Sequence, residues 1–146
     1  MKEIALLGVN GTVLADVLTS LLEKGKSVDV FTTEPSRIML DTTNVTVNRL
    51  DAESKKAMRD VLGGFDTIII AVENNLADHD LNDFILHNYS RIVNAAIDAG
   101  AKKLIVVGGK DSEAFLCGEL RRHKDLDYAF TTTEGDYGAA VAAVVG

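Results

Sequence analysis

The sequence predicts an α/β protein built on a doubly wound parallel sheet with helices on both faces. Short, continuously apolar segments, which are typical of buried parallel strands, alternate with segments whose apolar residues recur at helical spacing. Strands that alternate with helices of about 10 to 18 residues predict a parallel sheet joined by right-handed crossovers. Because no linker, low-complexity tract or internal repeat interrupts this alternation, we expect one domain over residues 1–146.

The first half of the chain shows this pattern most clearly. A continuous apolar run ends at Gly8, and the helical pattern that follows stops at Gly25, as a helix does at a C-terminal glycine cap. The run at 67–72 is β-branched and continuous, which predicts a central strand. The predicted elements are strands at 3–8, 27–32, 45–50 and 67–72 and helices at 12–24 and 54–62, and the strand at 45–50 has the weakest pattern.

The second half continues the same order. It contains predicted helices at 80–98, at 112–123 and from 136, and predicted strands at 103–109 and 127–132. The segment 138–145 is rich in Ala and Val and is apolar almost all round, as a helix buried on more than one side is. Since one sheet face covers only one side of such a helix, we expect a homodimer in which a second subunit covers the other side. The alternative is a terminal helix whose small alanines face solvent at little cost.

Composition excludes several classes of function. The net charge of -7 opposes binding to a nucleic-acid backbone, and no run of Lys or Arg forms a basic stripe. Cys117 is the only cysteine, so the chain can form neither an internal disulfide nor a cysteine-rich zinc site, and a reducing cytoplasm fits this usage. No apolar run approaches the roughly 18 to 20 residues of a membrane span, so we expect no membrane insertion.

The turn between the first strand and the first helix carries the most informative motif. Gly8 and Gly11 stand at G-x-x-G spacing in the run Gly8-Val9-Asn10-Gly11-Thr12. Glycine can adopt positive φ in a tight turn, and a missing side chain at Gly11 lets the backbone bring helix N-terminal N–H groups to a pyrophosphate. Such turns also occur in α/β proteins that bind no dinucleotide, so the motif alone leaves both interpretations open.

The order of elements resembles the atypical short-chain dehydrogenases/reductases, in particular their NAD(P)-binding, NmrA-like and flavin-reductase-like branch. The resemblance covers almost the whole chain and implies a Rossmann-type fold. It rests on the shared order and spacing of several segments, including Asp51 after the third strand. These segments read IALLGVNGTV, TTEPSRI, GGFDTIIIAV, IVNAAIDAGAKKLIVVGG and LRRHKDLDYAFTT.

The resemblance implies a set of cofactor-binding residues. The pyrophosphate turn would be lined by Gly8, Asn10, Gly11, Thr12 and Val13. Thr32 and Thr33 would lie by the adenosine ribose, Asp51 by the adenine, Ala71 and Val72 beside the cofactor, and Gly108 and Gly109 at the nicotinamide end. Asp51 as an exposed loop acid, and Ala71 with Val72 as ordinary core, are equally compatible with the sequence.

Two departures from the family pattern concern the cofactor. Leu14 stands where the family often has a third glycine, and it would crowd the contact between helix and strand unless the helix shifts outward. Thr33 stands where NADP-using members often have Arg. Arg37 could reach a 2′-phosphate and Glu34 a ribose hydroxyl, although both are also ordinary surface charges. The resemblance and Arg37 favour NADP, with NAD as the alternative.

A third departure concerns catalysis, because the chain has no Tyr-x-x-x-Lys pair. The residues four places after Tyr89, Tyr128 and Tyr137 are Val93, Thr132 and Val141. In the family's classical branch, the Lys of the Tyr-x-x-x-Lys pair lies one helical turn from a Tyr that donates a proton. We therefore assign no catalytic residue.

No metal site is predicted either. Asp78, His79 and Asp80 are adjacent in sequence, and adjacent residues rarely converge on one ion.

Two functions remain open on the sequence, beside the alternative of a Rossmann domain that binds nothing. The chain passes almost directly from the strand at 103–109 into a helix, so the segment that covers substrate in the resembling family is short here. One function is an NAD(P)H-dependent reductase of a quinone, a flavin or a similar planar acceptor, for which positioning and hydride donation could suffice. The other is a noncatalytic protein whose NAD(P) occupancy regulates a partner.

Overall fold

The computed structural model describes residues 4–8, 12–32, 45–49, 54–71, 91–107 and 127–131. These ranges contain six strands and three helical segments. The elements are β1 (Ile4–Gly8), α1 (Thr12–Glu23), β2 (Val28–Thr32), β3 (Val45–Arg49), α2 (Lys55–Leu62), β4 (Thr67–Ala71), α3 (residues 91–98), β5 (Lys103–Val107) and β6 (Asp127–Thr131). Every strand predicted from the sequence is found, and the predicted helices at 112–123 and from 136 lie outside the described residues.

The six strands form one sheet in the order β3-β2-β1-β4-β5-β6. All five neighbouring pairs are parallel, which confirms the predicted Rossmann-type, doubly wound α/β class. The chain runs from β1 outward to β3, returns to β4, and then runs outward in the other direction to β6. The strand order therefore reverses between β1 and β4, and β4 is central, as its β-branched sequence predicted.

Two apolar cores cover the two faces of the sheet, because successive residues of a strand point to opposite sides. On one face, α1 packs Leu14, Val17, Leu18 and Leu21 into a buried cluster with residues of β1, β2, β4 and β5. On the other face, the buried cluster joins α2, α3 and the alternate residues of the same strands. In that second cluster the rings of Phe31 and Phe65 meet edge to face, with their centroids 5.9 Å apart.

The helix ends are closed by local hydrogen bonds. The Ser54 side chain accepts a 3.1 Å bond from the backbone N–H of Ala57 and so caps the N-terminus of α2. At the C-terminus of α1, the Lys26 N–H donates to the Leu21 carbonyl at 3.1 Å, while Gly25 turns the chain at φ +76°. This is the glycine-dependent cap predicted there.

None of the helices in the described part of the chain is long and apolar enough to cross a bilayer.

Candidate functional site

The last residues of the six strands lie side by side at the carboxyl edge of the sheet. Gly8 is paired in register with Thr32 on one side and with Ala71 on the other. The row continues from Thr32 to Arg49, and from Ala71 through Val107 to Thr131. We call Arg49, Thr32, Gly8, Ala71, Val107 and Thr131 the terminal row. In open α/β sheets ligands bind outside the carboxyl ends of the strands where strand order reverses, which here is the step from Gly8 to Ala71.

Gly8 is required by the close approach of β1 and β4. A Cβ atom at this position would lie 2.6 Å from the backbone carbonyl oxygen of Ala71, closer than side chains approach such atoms. The described glycines with positive φ are Gly25, Gly64 and Gly100, and Gly8 is not among them. Positive φ, one of the two properties that predicted glycine in this turn, is therefore not the reason for Gly8.

Thr32 carries an unsatisfied polar group inside the protein. Its side chain is fully buried at the end of β2. In the described part of the chain, the Thr32 Oγ1 atom is the buried side-chain polar atom without a hydrogen-bond partner. Leaving a buried hydroxyl unpaired costs about 1–3 kcal/mol, so such groups usually have a partner. Thr32 is paired in register with Gly8, beside the strand-order reversal.

The N-terminus of α1 adds a partial positive charge near the same edge. The helix begins at Thr12, four residues after β1 ends, and its first turn contains no acidic residue. The first N–H groups of a helix lack intrahelical partners and attract anions together with the helix dipole. The start of α1 therefore attracts an anionic group and repels a cationic one.

Leu14 is accommodated in the core, although the sequence suggested that it would crowd the helix against the strand. Its side chain is buried in the α1 cluster with Val17 and Leu18, and residues of β1 and β4 belong to the same cluster. The larger side chain thus serves helix–sheet packing at the position where the resembling family often has glycine.

The structure brings three of the predicted site residues together in the terminal row: Gly8, Thr32 and Ala71. The backbones of Thr12 and Val13 form the start of α1. The other predicted site residues, which lie outside the described residues, are Asn10, Gly11, Thr33, Arg37, Asp51, Val72, Gly108 and Gly109.

The sequence did not single out Arg49, and the structure sets it beside Thr32. Its position follows from strand pairing, which the weak pattern at 45–50 did not specify. Within the described ranges, no group of three or more His, Cys, Asp or Glu residues could hold a metal ion, and the run from Asp78 to Asp80 lies outside them.

A family model matches most of the chain. The model for NAD(P)H-binding domains matches residues 8–130, from the last residue of β1 to within β6. The chain belongs to this NAD(P)H-binding family. No curated protein matches the sequence.

Three solved structures, each with less than a quarter of residues identical, resemble this NAD(P)H-binding chain in fold. A Rossmann-fold NAD(P)-binding family protein from Shigella flexneri has a TM-score of 0.71 and 17% identity, and the match covers 99% of this chain and 86% of that one. An NADPH-dependent quinone oxidoreductase from Escherichia coli, solved with NADPH, has a TM-score of 0.71 and 17% identity, with 87% of this chain and 47% of that one covered. An enzyme from Bordetella bronchiseptica, solved with NAD+, has a TM-score of 0.68 and 16% identity, with 89% and 54% covered. This chain thus spans about half the length of the last two proteins.

The described residues of this NAD(P)H-binding chain fit a dinucleotide in two respects. Thr32, whose buried hydroxyl has no partner among the described residues, ends β2 with an uncharged side chain beside Gly8. The start of α1, without an acidic residue in its first turn, offers N–H groups to a pyrophosphate. The first property is a feature of the folded chain that the sequence could not reveal, because it depends on which atoms surround Oγ1.

Proposed function

We propose that this protein binds NAD(P)H across the step from β1 to β4 and reduces a small planar acceptor such as a quinone or a flavin. The observation that carries the proposal is the terminal row of a member of the NAD(P)H-binding family, in which Gly8, Thr32 and Ala71 meet beside the start of α1. The quinone oxidoreductase from Escherichia coli, which shares the fold, supports the class of acceptor.

The proposed binding residues follow the direction of the sheet. The pyrophosphate would lie over the turn from Gly8 to Val13, which includes Asn10, Gly11 and Thr12. The adenosine would extend toward β2 and β3, with the Thr32 hydroxyl and Thr33 near the ribose and Asp51 near the adenine. Ala71 and Val72 would border the middle of the cofactor, and Gly108 and Gly109, after β5, would border the nicotinamide.

The chemistry proposed is limited by what the chain provides. A bound reduced nicotinamide supplies a hydride. The chain has no Tyr-x-x-x-Lys pair to donate a proton to a developing alkoxide. A quinone or flavin suits such a site, because the protein needs only to hold the two rings in contact and exclude water.

We also propose that NADP is preferred to NAD. The β2 strand ends in Thr32 and the neutral Thr33, so no carboxylate stands at the position that usually binds the two hydroxyls of an unphosphorylated ribose. The sequence indicates Arg37 as a candidate to bind the 2′-phosphate.

Two measurements test the proposed function. In the first, NADH and NADPH are titrated while the melting temperature is followed, because a ligand that binds only the folded state raises that temperature. Gly11→Asp introduces a side chain and a negative charge at the proposed pyrophosphate position. It should therefore weaken the binding of both cofactors by at least about ten-fold while the protein still folds. Unchanged affinity in a folded Gly11→Asp protein would remove the turn from the site.

In the second measurement, NAD(P)H oxidation is followed with a panel of quinones and flavins. Turnover that Gly11→Asp abolishes supports the reductase. Tight binding without turnover for any acceptor contradicts the reductase and leaves the regulatory protein that the sequence also allowed.

We further propose a homodimer formed through the Ala/Val-rich segment 138–145 and a cytoplasmic location. The dimer would bury the second side of a helix that is apolar almost all round. Light scattering over a range of dilutions should give a dimer mass, which Ala140→Glu combined with Val144→Glu should reduce to that of a monomer. A monomer mass at every concentration of the unaltered protein contradicts the dimer.

A further inference from the structure

Arg49 occupies the end of β3 in the terminal row. It is paired in register with Thr32, and Thr32 is paired with Gly8. Neighbouring strands are about 4.8 Å apart, so the Arg49 backbone lies about 5 Å from Thr32 and about 10 Å from Gly8. Val45, which has the same side-chain direction as Arg49 in the strand, packs against the α1 cluster. The Arg49 side chain therefore projects from the same sheet face as Thr32.

The Arg49 guanidinium is exposed and has no ion pair within the described ranges. The chain has 22 acidic and 15 basic side chains, so a basic side chain without an acidic neighbour is unusual in it. The acidic residues of the described strands, Asp29 and Asp127, lie at the second position of β2 and the first position of β6, away from the carboxyl edge. The part of the terminal row formed by β3 and β2 thus combines a cation that has no ion pair among the described residues with a buried neutral hydroxyl.

This combination suits a phosphorylated sugar better than an unmodified one. A carboxylate at the end of β2 would accept hydrogen bonds from two ribose hydroxyls and would repel a phosphate on either of them. A guanidinium binds a phosphate through two parallel, charge-assisted hydrogen bonds. Thr32 is uncharged and therefore adds no repulsion against the phosphate.

We propose that Arg49 is the residue that selects NADP over NAD, by binding the 2′-phosphate of an adenosine ribose that lies at Thr32. The inference rests on the proposed function, since it requires a dinucleotide whose adenosine half extends from Gly8 toward β2 and β3. It assigns the selective contact to β3, whereas the sequence pointed to Arg37 after β2.

Calorimetric titration tests this assignment without any need for turnover. Four ligands are titrated: NADPH, NADH, adenosine 2′,5′-bisphosphate and adenosine 5′-phosphate, of which the last two isolate the adenosine half. Arg49→Gln should weaken the binding of NADPH and of the bisphosphate by roughly ten- to 100-fold, because a charge-assisted pair of hydrogen bonds is lost. It should change the affinity for NADH and adenosine 5′-phosphate by less than about two-fold. Arg49→Lys should retain part of the affinity for NADPH, since it keeps the charge and loses the paired geometry.

Arg59→Gln is the matched control, because Arg59 is an exposed arginine in the last turn of α2 and its replacement changes the net charge equally. It should leave all four affinities unchanged. Equal losses for NADPH and NADH in Arg49→Gln, or none, overturn the inference, as does an Arg37→Gln variant that alone loses the preference.

An unaltered protein that binds NADH more tightly than NADPH also overturns the inference and leaves the proposed dinucleotide site in place. An unaltered protein that binds neither cofactor overturns the proposed function itself.

Discussion

The polar groups at the two edges of the sheet differ in whether they have partners among the described residues. At the amino edge, the backbone carbonyl of Asp66 accepts hydrogen bonds from the N–H groups of Lys102 and Lys103 at 3.2 and 3.1 Å. The Asp66 carboxylate also lies 3.4 Å from the Lys102 ammonium. At the carboxyl edge, the Thr32 hydroxyl is buried without a partner, and Arg49 has no ion pair, among the described residues. Among the described residues, the polar groups named at the amino edge pair within the chain, and those named at the carboxyl edge do not.

The glycines show the same contrast. Gly25, Gly64 and Gly100 each lie between a helix end and the start of a strand, at the amino edge, and each has positive φ. They reverse the chain where other residues would be strained. Gly8, at the carboxyl edge, is needed because β4 leaves no room for a side chain. Glycine thus serves chain reversal at one edge and close approach at the other.

The largest expected effect is on stability, from a methyl group added at Gly8. Gly8→Ala should lower the free energy of unfolding by about 1–3 kcal/mol, because the new Cβ would meet a backbone oxygen of Ala71 that cannot rotate away. Urea denaturation measures this change. Gly63→Ala is the control, since its nearest atoms would be 3.9 Å from the new Cβ and its φ of -61° suits alanine. That variant should be as stable as the unaltered protein or up to about 1 kcal/mol more stable. Equal losses for both variants would contradict the close approach of β1 and β4.

A smaller effect, with opposite signs for stability and binding, is expected at Thr32. Thr32→Val replaces the buried hydroxyl by a methyl group of similar size, so the unliganded protein should become about 1 kcal/mol more stable. The same change should weaken the binding of NAD(P)H by about two- to ten-fold, because the ligand loses a hydrogen bond. Thr46→Val, at an exposed threonine of β3, should alter neither quantity. A Thr32→Val protein that loses stability and keeps its affinity would show that the hydroxyl serves the fold alone.

The smallest effect is expected at the amino edge. Asp66→Asn removes the ion pair with Lys102, whose side chains are 68% and 81% exposed, and keeps the backbone bonds. Because solvent and salt screen such a pair, the free energy of unfolding should change by less than about 0.5 kcal/mol. Calorimetry should find the affinity for NADPH unchanged. A clear loss of affinity would mean that the two edges are coupled, and the contrast between them would fail.

Sequence patterns predicted the elements well because each depends on neighbouring residues. The apolar run of β4, the glycine after α1 and the Ser54 cap of α2 all use interactions within a few positions. The turn after β1 was predicted from local spacing, and its residues 9–11 lie outside the described residues. The predicted reason for Gly8 was partly wrong, since the atom that excludes a side chain belongs to Ala71, 63 positions away in the chain.

What the sequence determined by itself is therefore the alternation of strands and helices and the α/β class, because periodicity and caps act over a single turn or strand. Only the tertiary structure decided which strand ends are neighbours. The pairing of β3 with β2 and of β1 with β4 brings Arg49, Thr32, Gly8 and Ala71 into one row. Strand order and register arise from the packing of two apolar faces against helices, which links residues far apart in the chain, and the unpartnered Thr32 hydroxyl exists only once that packing has formed.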